Sequence, residues 1–404
     1  MNILLSSYSI NPFHGSEDGI GWNWAVMLSK HFPDDKIYLL TKTCNEKDTR
    51  KGIEEFGLKN IELVIIDPPY WLNWYREHNS AFHHMYYILW QHLAYRWAKK
   101  SGIRFDIIHH VTMGDFRITG EMYKIKNAYK IFGPVGGGQS TPKALKDYEK
   151  SKLFEKIREL ISNSRAYSPN YKRHIKGFDK VYAINKETAN IISKALGKNC
   201  DRLFELALAD EFKSLEINHN NNGTKKIVFV GRLINKKGLM LLLDAVDNMD
   251  KSLDFTLEVF GDGPLKSDME SYIKAHSLEE KVTLHGAVEH TRISEAYKNG
   301  DIFVMPSLRE TSGNVLIEAM AHRLPVVALD MSICSDLKEE NCGLFVNTEQ
   351  GKQEIIDEFS FSLEKLVCDS ALRVSLGDNG YNYVNNSLSW ENKFETVYGN
   401  IRND

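Results

Sequence analysis

Short apolar runs alternate with longer amphipathic stretches along this chain, and the alternation stops once and then restarts. Runs of strand length stand at Ile3–Ser7, Lys36–Thr41, Ile61–Ile66, Ile107–His110 and Tyr129–Phe132, with helical patterns such as Gly21–Ser29 and Phe82–Lys99 between them. That order predicts a parallel sheet with helices on both faces. It continues to about Leu206. The polar, turn-rich stretch Asn218–Thr224 is the best linker in the chain. Beyond it, runs at Ile227–Val230, Phe255–Phe260, Val282–His285, Ile302–Met305 and Pro325–Ala328 alternate with helical patterns at Gly238–Asn248, Leu265–Ala275 and Asn314–Ala321. The expectation is an α/β protein of two consecutive Rossmann-like domains, 1–206 and 207–388. Open sheets of this kind bind ligands at the carboxyl ends of their strands. Two of them facing each other would put an active site in the cleft between them.

Composition narrows the function. The 404 residues exceed what one hydrophobic core usually serves. A net charge of −3 gives no global basic bias, so a nucleic-acid partner is not expected. The five cysteines (Cys44, Cys200, Cys334, Cys342, Cys368) are scattered and odd in number, which speaks against a disulfide framework. No Cys/His spacing resembles a metal site. No window offers the roughly 18 apolar residues of a spanning helix, and the first residues read as a buried strand rather than a signal peptide. A cytoplasmic chain is expected.

The richest motif runs from Pro306 to Ala321. A strand enters a loop and the loop enters a helix, which Thr311 or Ser312 is placed to cap. The free N–H groups and positive dipole end of that helix make an anion site suited to a diphosphate. Glu310 precedes the helix and Glu318 lies inside it, so two acceptor carboxylates flank the same helix end, as sugar hydroxyls require. Upstream, Gly231 ends a strand, and Arg232 and Lys237 follow at its carboxyl edge. Fixed cations there would stabilise a leaving diphosphate as its charge grows. A solvated basic loop is the other reading. Gly261-Asp262-Gly263-Pro264 reads either as a turn beside a nucleotide or as a plain turn.

Taken in order and spacing, Gly231-Arg232-Leu233 through Lys237-Gly238, Gly261 to Pro264, and Pro306-Ser307 to Glu318 resemble the signature of the family-4 retaining glycosyltransferases. The family is also described as glycosyl transferases group 1. The resemblance covers nearly the whole C-terminal half. It implies a GT-B fold of two Rossmann-like domains and a UDP- or GDP-linked sugar donor with no metal cofactor. The absence of an Asp-x-Asp triplet fits that. It implies that Arg232 and Lys237 bind the diphosphate, Glu318 the ribose and Glu310 the transferred sugar, with backbone amides from Thr311, Ser312, Gly313, Asn314 and Val315. Gly231 and Gly261 would lie beside the nucleotide, and Ala287 and Val288 where the family holds the base. The helical segment within 389–404 would complete the N-terminal domain.

The N-terminal half resembles the family less. Gly15 and Ser16 stand where the family carries a glycine-rich loop near donor phosphates and acceptor. Glu17 or Asp18 either faces the acceptor or belongs to a capped approach to the helix at Gly21. His109 and His110 end a strand, where one of them would serve the cleft or both would be core residues. Arg117 would contact a phosphate or form a salt bridge. Phe132-Gly133-Pro134-Val135-Gly136-Gly137-Gly138 lacks the histidine frequent in the family. The chain is similar in this to a subgroup with a Gly-Pro-Val-Gly-Gly-Gly loop, whose Gly136, Gly137 and Gly138 would allow close backbone approach to a ligand. Retention by front-face substitution needs no side-chain nucleophile, since the leaving phosphate takes the acceptor's proton.

The aromatic group Trp71, Trp74, Tyr75, Phe82, Tyr86, Tyr87, Trp90, Tyr95 and Trp97 reads as core, with an acceptor or membrane-interface role as the alternative. Lys143 to Lys180 is locally basic: either a solvated face or a surface for anionic lipid on the inner side of a membrane. Three functions remain open: a retaining sugar transferase acting on a glycan or lipid-linked acceptor, another GT-B enzyme such as a nucleotide-sugar epimerase or disaccharide phosphorylase, and a non-catalytic nucleotide-sugar binding protein.

Overall fold

Each apolar run becomes a parallel strand, and the central ones are buried on both faces, which is why those runs read as continuous rather than alternating. The computed structural model describes residues 1–13, 16–69, 72, 80–205, 207, 223–311 and 313–401. They divide into two compact units, one of Met1–Gly138, Leu160–Glu205 and Phe394–Asp404, the other of Gln139–Glu159 and Leu206–Lys393. Residues 139–159, placed by the sequence reading in the first domain, pack with the second.

The first unit holds β1 (Asn2–Ser7), β2 (Lys36–Thr41), β3 (Ile61–Ile65), β4 (Ile107–Thr112), β5 (Tyr129–Val135), β6 (Lys180–Ala183) and β7 (Asp201–Arg202), ordered β3-β2-β1-β4-β5-β6-β7. Ile3 pairs with Ile37 on one side and Ile107 on the other. Leu4, Leu40, Ile108 and Phe132 form the core beneath the helix Ser80–Lys100. Tyr86, Tyr87 and Trp90 of that helix are buried, and Tyr95 and Trp97 pack against the same core. Trp71, Trp74 and Tyr75 lie outside the described residues. The helix Trp390–Tyr398 ends in this unit, where Phe394 stacks on His31 at 4.2 Å and Tyr182 Oη donates to the Thr396 carbonyl at 3.2 Å.

The second unit holds β8 (Lys225–Val230), β9 (Phe255–Phe260), β10 (Val282–Gly286), β11 (Ile302–Met305), β12 (Val326–Leu329) and β13 (Gly343–Val346), ordered β10-β9-β8-β11-β12-β13. Both sheets therefore reverse direction of growth once, between β1 and β4 and between β8 and β11. Such a reversal leaves the two adjoining loops splayed to opposite sides, and ligands of doubly wound sheets bind there.

Candidate functional site

At the β8/β11 reversal the loops are knitted by backbone hydrogen bonds. Gly231 N–H donates to the Phe260 carbonyl at 2.9 Å, Leu233 N–H to Asp262 at 2.9 Å, and Leu308 N–H to Lys236 at 2.9 Å. The approach is too close for a side chain. A Cβ at Gly261 would stand 1.9 Å from the Gly231 carbonyl oxygen.

This frame brings Lys237, Glu310 and Thr311 together. Lys237 Nζ is ion-paired with Glu310, and both side chains are mostly buried. Ser307 Oγ donates to the same carboxylate at 3.2 Å, and so does the Thr311 N–H at 3.2 Å. Gln139 Nε2 donates to the Glu310 carbonyl at 3.0 Å, fixing the backbone too. Arg232 is exposed and makes no ion pair among the described residues. Glu318 accepts from Tyr297 Oη at 3.2 Å. Ala287, exposed, and Val288, half-buried, follow the end of β10.

One expectation fails here. The helix Asn314–Ala321 has Gly313 rather than Thr311 at its N-cap, at φ 65° and ψ 45°, with no side chain to offer. Ser312 lies outside the described residues. The consequence favours an anion, because a glycine cap leaves the first-turn N–H groups without a side-chain acceptor.

Sequence reasoning missed the support behind Glu310. Arg309 Nε contacts Glu149 at 3.2 Å, and Arg309 Nη1 contacts the buried Glu155 at 3.3 Å. With Gln139, these hold the loop from the segment 139–159. The only sequence signal was two acids inside a basic run, which a charge tally averages away.

The first unit corrects several expectations. His109 and His110 are 0% and 2% exposed. His109 Nε2 donates to the Gly133 carbonyl at 2.7 Å, so its Nδ1 accepts from Tyr398 Oη at 2.6 Å. His110 is held by Ser6 Oγ at 2.9 Å and Tyr87 Oη at 2.7 Å. Neither ring has a nitrogen left for a ligand, so the core reading replaces the catalytic one. Burial lowers His109 to about 4, and burial with the neighbouring His109 lowers His110 to about 3. Both depressed values lie below the unfolded value of about 6.5. The unfolded chain therefore binds more protons in that window, and stability rises with pH. The contribution is complete above about pH 6.5 and fades towards about pH 3, at a slope of about 1.4 kcal/mol per pH unit per histidine. Urea unfolding should give a lower stability at pH 5 than at pH 7, and His109→Gln should flatten that dependence.

The helix expected at Gly21 starts at Ser16, so Glu17 and Asp18 sit in its first turn. Glu17 accepts from the Gly114 N–H at 3.0 Å, and burial raises its proton affinity. Arg117 forms a forked pair with Asp115 at 2.8 and 3.1 Å, the salt-bridge alternative. Gly136 N–H donates to the Gly114 carbonyl at 2.7 Å, and Gly138 N–H to Thr188 Oγ1 at 3.0 Å. Gly137 stands at φ 102°. The glycine run is thus occupied largely in internal packing. Gly15 lies outside the described residues, and of Ser16 only the backbone is described. A separate cavity of about 680 Å³ in this unit is lined by Met85, Ile88, Leu89, Ile118, Arg165 and Tyr171, among others.

Among the described residues no group of three or more His, Cys, Asp or Glu is arranged to hold a metal ion, and no helix is long and apolar enough to cross a membrane.

Residues 224–365 match the family described as Glycosyl transferases group 1. The chain is 30% identical over 154 residues to the alpha-D-kanosaminyltransferase of Streptomyces kanamyceticus, a stretch covering 38% of this chain and 39% of that protein. The match thus spans about two-fifths of that relative's length. In structure the chain resembles HepE of Anabaena in complex with UDP, with a TM-score of 0.63, 14% identity and full coverage of both chains (100% and 100%). It also resembles WaaG, a glycosyltransferase involved in lipopolysaccharide biosynthesis, with a TM-score of 0.61, 14% identity and 98% of each chain covered. The chain therefore has the GT-B fold, built of two parallel-sheet α/β units, and within its second unit the stretch 224–365 is similar to the glycosyl transferases group 1 family.

Proposed function

We propose that this chain is a retaining glycosyltransferase that moves a sugar from a UDP- or GDP-linked donor to a glycan or lipid-linked acceptor. The observation behind the proposal is the Lys237–Glu310 ion pair beside the glycine-capped helix Asn314–Ala321. The two charges satisfy each other across the pair. A nucleoside diphosphate sugar offers a better partner to each: phosphate to Lys237, sugar hydroxyls to Glu310. Arg232 and the N–H groups of Asn314 and Val315 take the remaining phosphate charge, and Glu318 the ribose hydroxyls. Gly231, Gly261, Ala287 and Val288 border the nucleoside.

The bond from the anomeric carbon to the phosphate oxygen breaks, and the acceptor oxygen bonds to that carbon from the same face. The acceptor's proton passes to the departing phosphate. No histidine is needed, which agrees with the buried state of His109 and His110. Lys237, Arg232 and the helix end supply the positive charge that a metal would otherwise bring, so chelators are expected to leave activity unchanged. In this reading Glu17 or Asp18, in the first turn of the helix after β1, meets an acceptor hydroxyl. The cavity beside Met85, Ile88 and Leu89 suits an acceptor with an apolar portion. That reading puts the enzyme in the cytoplasm, at the inner face of a membrane, in polysaccharide or glycolipid synthesis.

A thermal-shift screen of nucleotide sugars identifies the donor through ligand-linked stabilisation. The anomeric form of the sugar released from it tests retention. Glu310→Ala is expected to lower kcat by about 10–100-fold while changing donor affinity only about threefold, because its hydrogen bonds tighten as the sugar gains positive charge. Sugar released with inverted configuration, or turnover that requires inorganic phosphate, would refute the proposal.

A further inference from the structure

The helix Lys152–Ser164 is built the wrong way round for a helix in water. Leu153, Phe154, Ile157, Leu160 and Ile161 fall on one face by helical spacing and are all exposed, Leu153 and Phe154 at 69%. The opposite face turns inward and is polar: Glu155 is 1% exposed and Ser162 2%. Arg158 pairs with Glu155, and Lys146 reaches Glu159 at 3.1 Å. An apolar stripe of five large side chains facing solvent marks a surface that something else covers.

Charge identifies the cover. Residues 150–165 contain five cations (Lys150, Lys152, Lys156, Arg158, Arg165) and two carboxylates (Glu155, Glu159). Both carboxylates are ion-paired on the inward side, so the exposed charges of this stretch are lysines, of which Lys152 pairs with Asp147. Lys150 and Lys156 are exposed and make no ion pair among the described residues. A second copy of the chain would set these cations against their own kind in a symmetric contact. An anionic bilayer satisfies both features at once, with side chains sinking below the headgroups and lysines staying among the phosphates.

We propose that the helix Lys152–Ser164 is an interfacial element that docks this chain on an anionic membrane surface. The proposal's biological sense rests on the lipid-linked acceptor suggested above, while its physical basis is the inverted helix alone. It assigns the membrane contact to the apolar stripe, with the basic residues as its rim. Without the stripe, the basic run Lys143–Lys180 would bind weakly and reversibly through charge only.

The test uses the full-length chain and sedimentation with phosphatidylcholine vesicles, with and without phosphatidylglycerol, in the absence of any donor. Wild type is expected to bind the anionic vesicles at least about tenfold more tightly than the neutral ones. The triple variant Leu153→Ser, Phe154→Ser, Ile157→Ser changes only exposed positions. It is expected to lose at least about tenfold on anionic vesicles, with unchanged melting temperature and an unchanged thermal shift with UDP or GDP. The nucleotide shift separates this proposal from the donor site, since either can fail alone. Equal sedimentation of the triple variant and wild type would overturn the assignment. So would a wild type that ignores both vesicle types, or a wild-type dimer in light scattering that the triple variant converts to monomer without vesicle binding.

Discussion

Replacing Lys237 with alanine is expected to lower turnover about 10²–10³-fold with little change in melting temperature. The two halves of that expectation have separate grounds. On the proposed chemistry, turnover falls because the ammonium group meets the charge that accumulates on the leaving phosphate. That charge is larger in the transition state than in the bound donor, so the loss appears mainly in kcat. The fold survives because the backbone at 237 does the structural work: its N–H donates to the Ile234 carbonyl at 2.9 Å, and the side chain reaches outward to Glu310. Lys237→Ala also leaves the Glu310 carboxylate without its cation, which makes the double variant Lys237→Ala, Glu310→Ala informative. If each residue acts only through the other, the double variant behaves like either single one. If each meets a different part of the donor, the losses come close to adding. Lys237→Arg keeps the charge with a different reach and should recover part of the loss. Near-normal turnover in Lys237→Ala, measured by donor hydrolysis, would remove the phosphate role.

The strands were legible because most sit inside a parallel sheet with both faces covered, so their sequences are plain apolar runs. The omitted strands are those for which this fails. Lys180–Ala183 and Asp201–Arg202 are short and begin with charge, and Gly343–Val346 opens on a glycine. The helix start was read five residues late because Gly15-Ser16-Glu17-Asp18-Gly19 has the composition of a turn, whereas its acids complement the helix dipole from within the first turn. In the site, the spacing of Arg232, Lys237, Glu310 and Glu318 was readable because three sit on two loops that immediately follow strands and Glu318 on the helix after the second. Gly313 was passed over as cap because Thr311 and Ser312 have the better side chains for it; the left-handed backbone at 313 decides instead. His109 and His110 misled for another reason. Their strand position suggested an open carboxyl end, but Tyr398, Tyr87 and Ser6 close over the rings, and such partners come from distant parts of the chain.

Gly238→Ala is expected to destabilise the C-terminal unit by about 2–4 kcal/mol and to weaken nucleotide binding at least about tenfold. Gly238 lies at φ 68°, a conformation that costs an alanine about 1–2 kcal/mol by itself. The larger effect is steric. A Cβ here would stand 1.9 Å from the Pro306 carbonyl oxygen, a backbone atom with no rotamer to escape into. Relief requires the loop after β11 to move away from the loop after β8. That movement pulls Leu308 N–H from the Lys236 carbonyl and separates Lys237 from Glu310. It also disturbs the start of the helix Leu239–Asn248, whose Leu239, Leu241, Leu242 and Leu243 are fully buried. Gly57 provides the control. It has nearly the same φ, 65°, yet nothing lies within 4 Å of a Cβ built there. Gly57→Ala should therefore show the conformational cost alone, about 1–2 kcal/mol, with nucleotide binding intact. The difference between the two variants measures what the contact between the β8 and β11 loops requires. Equal unfolding free energies in urea would mean that this contact yields freely, and that the four charged side chains are positioned by something other than the glycine-locked crossing of the two loops.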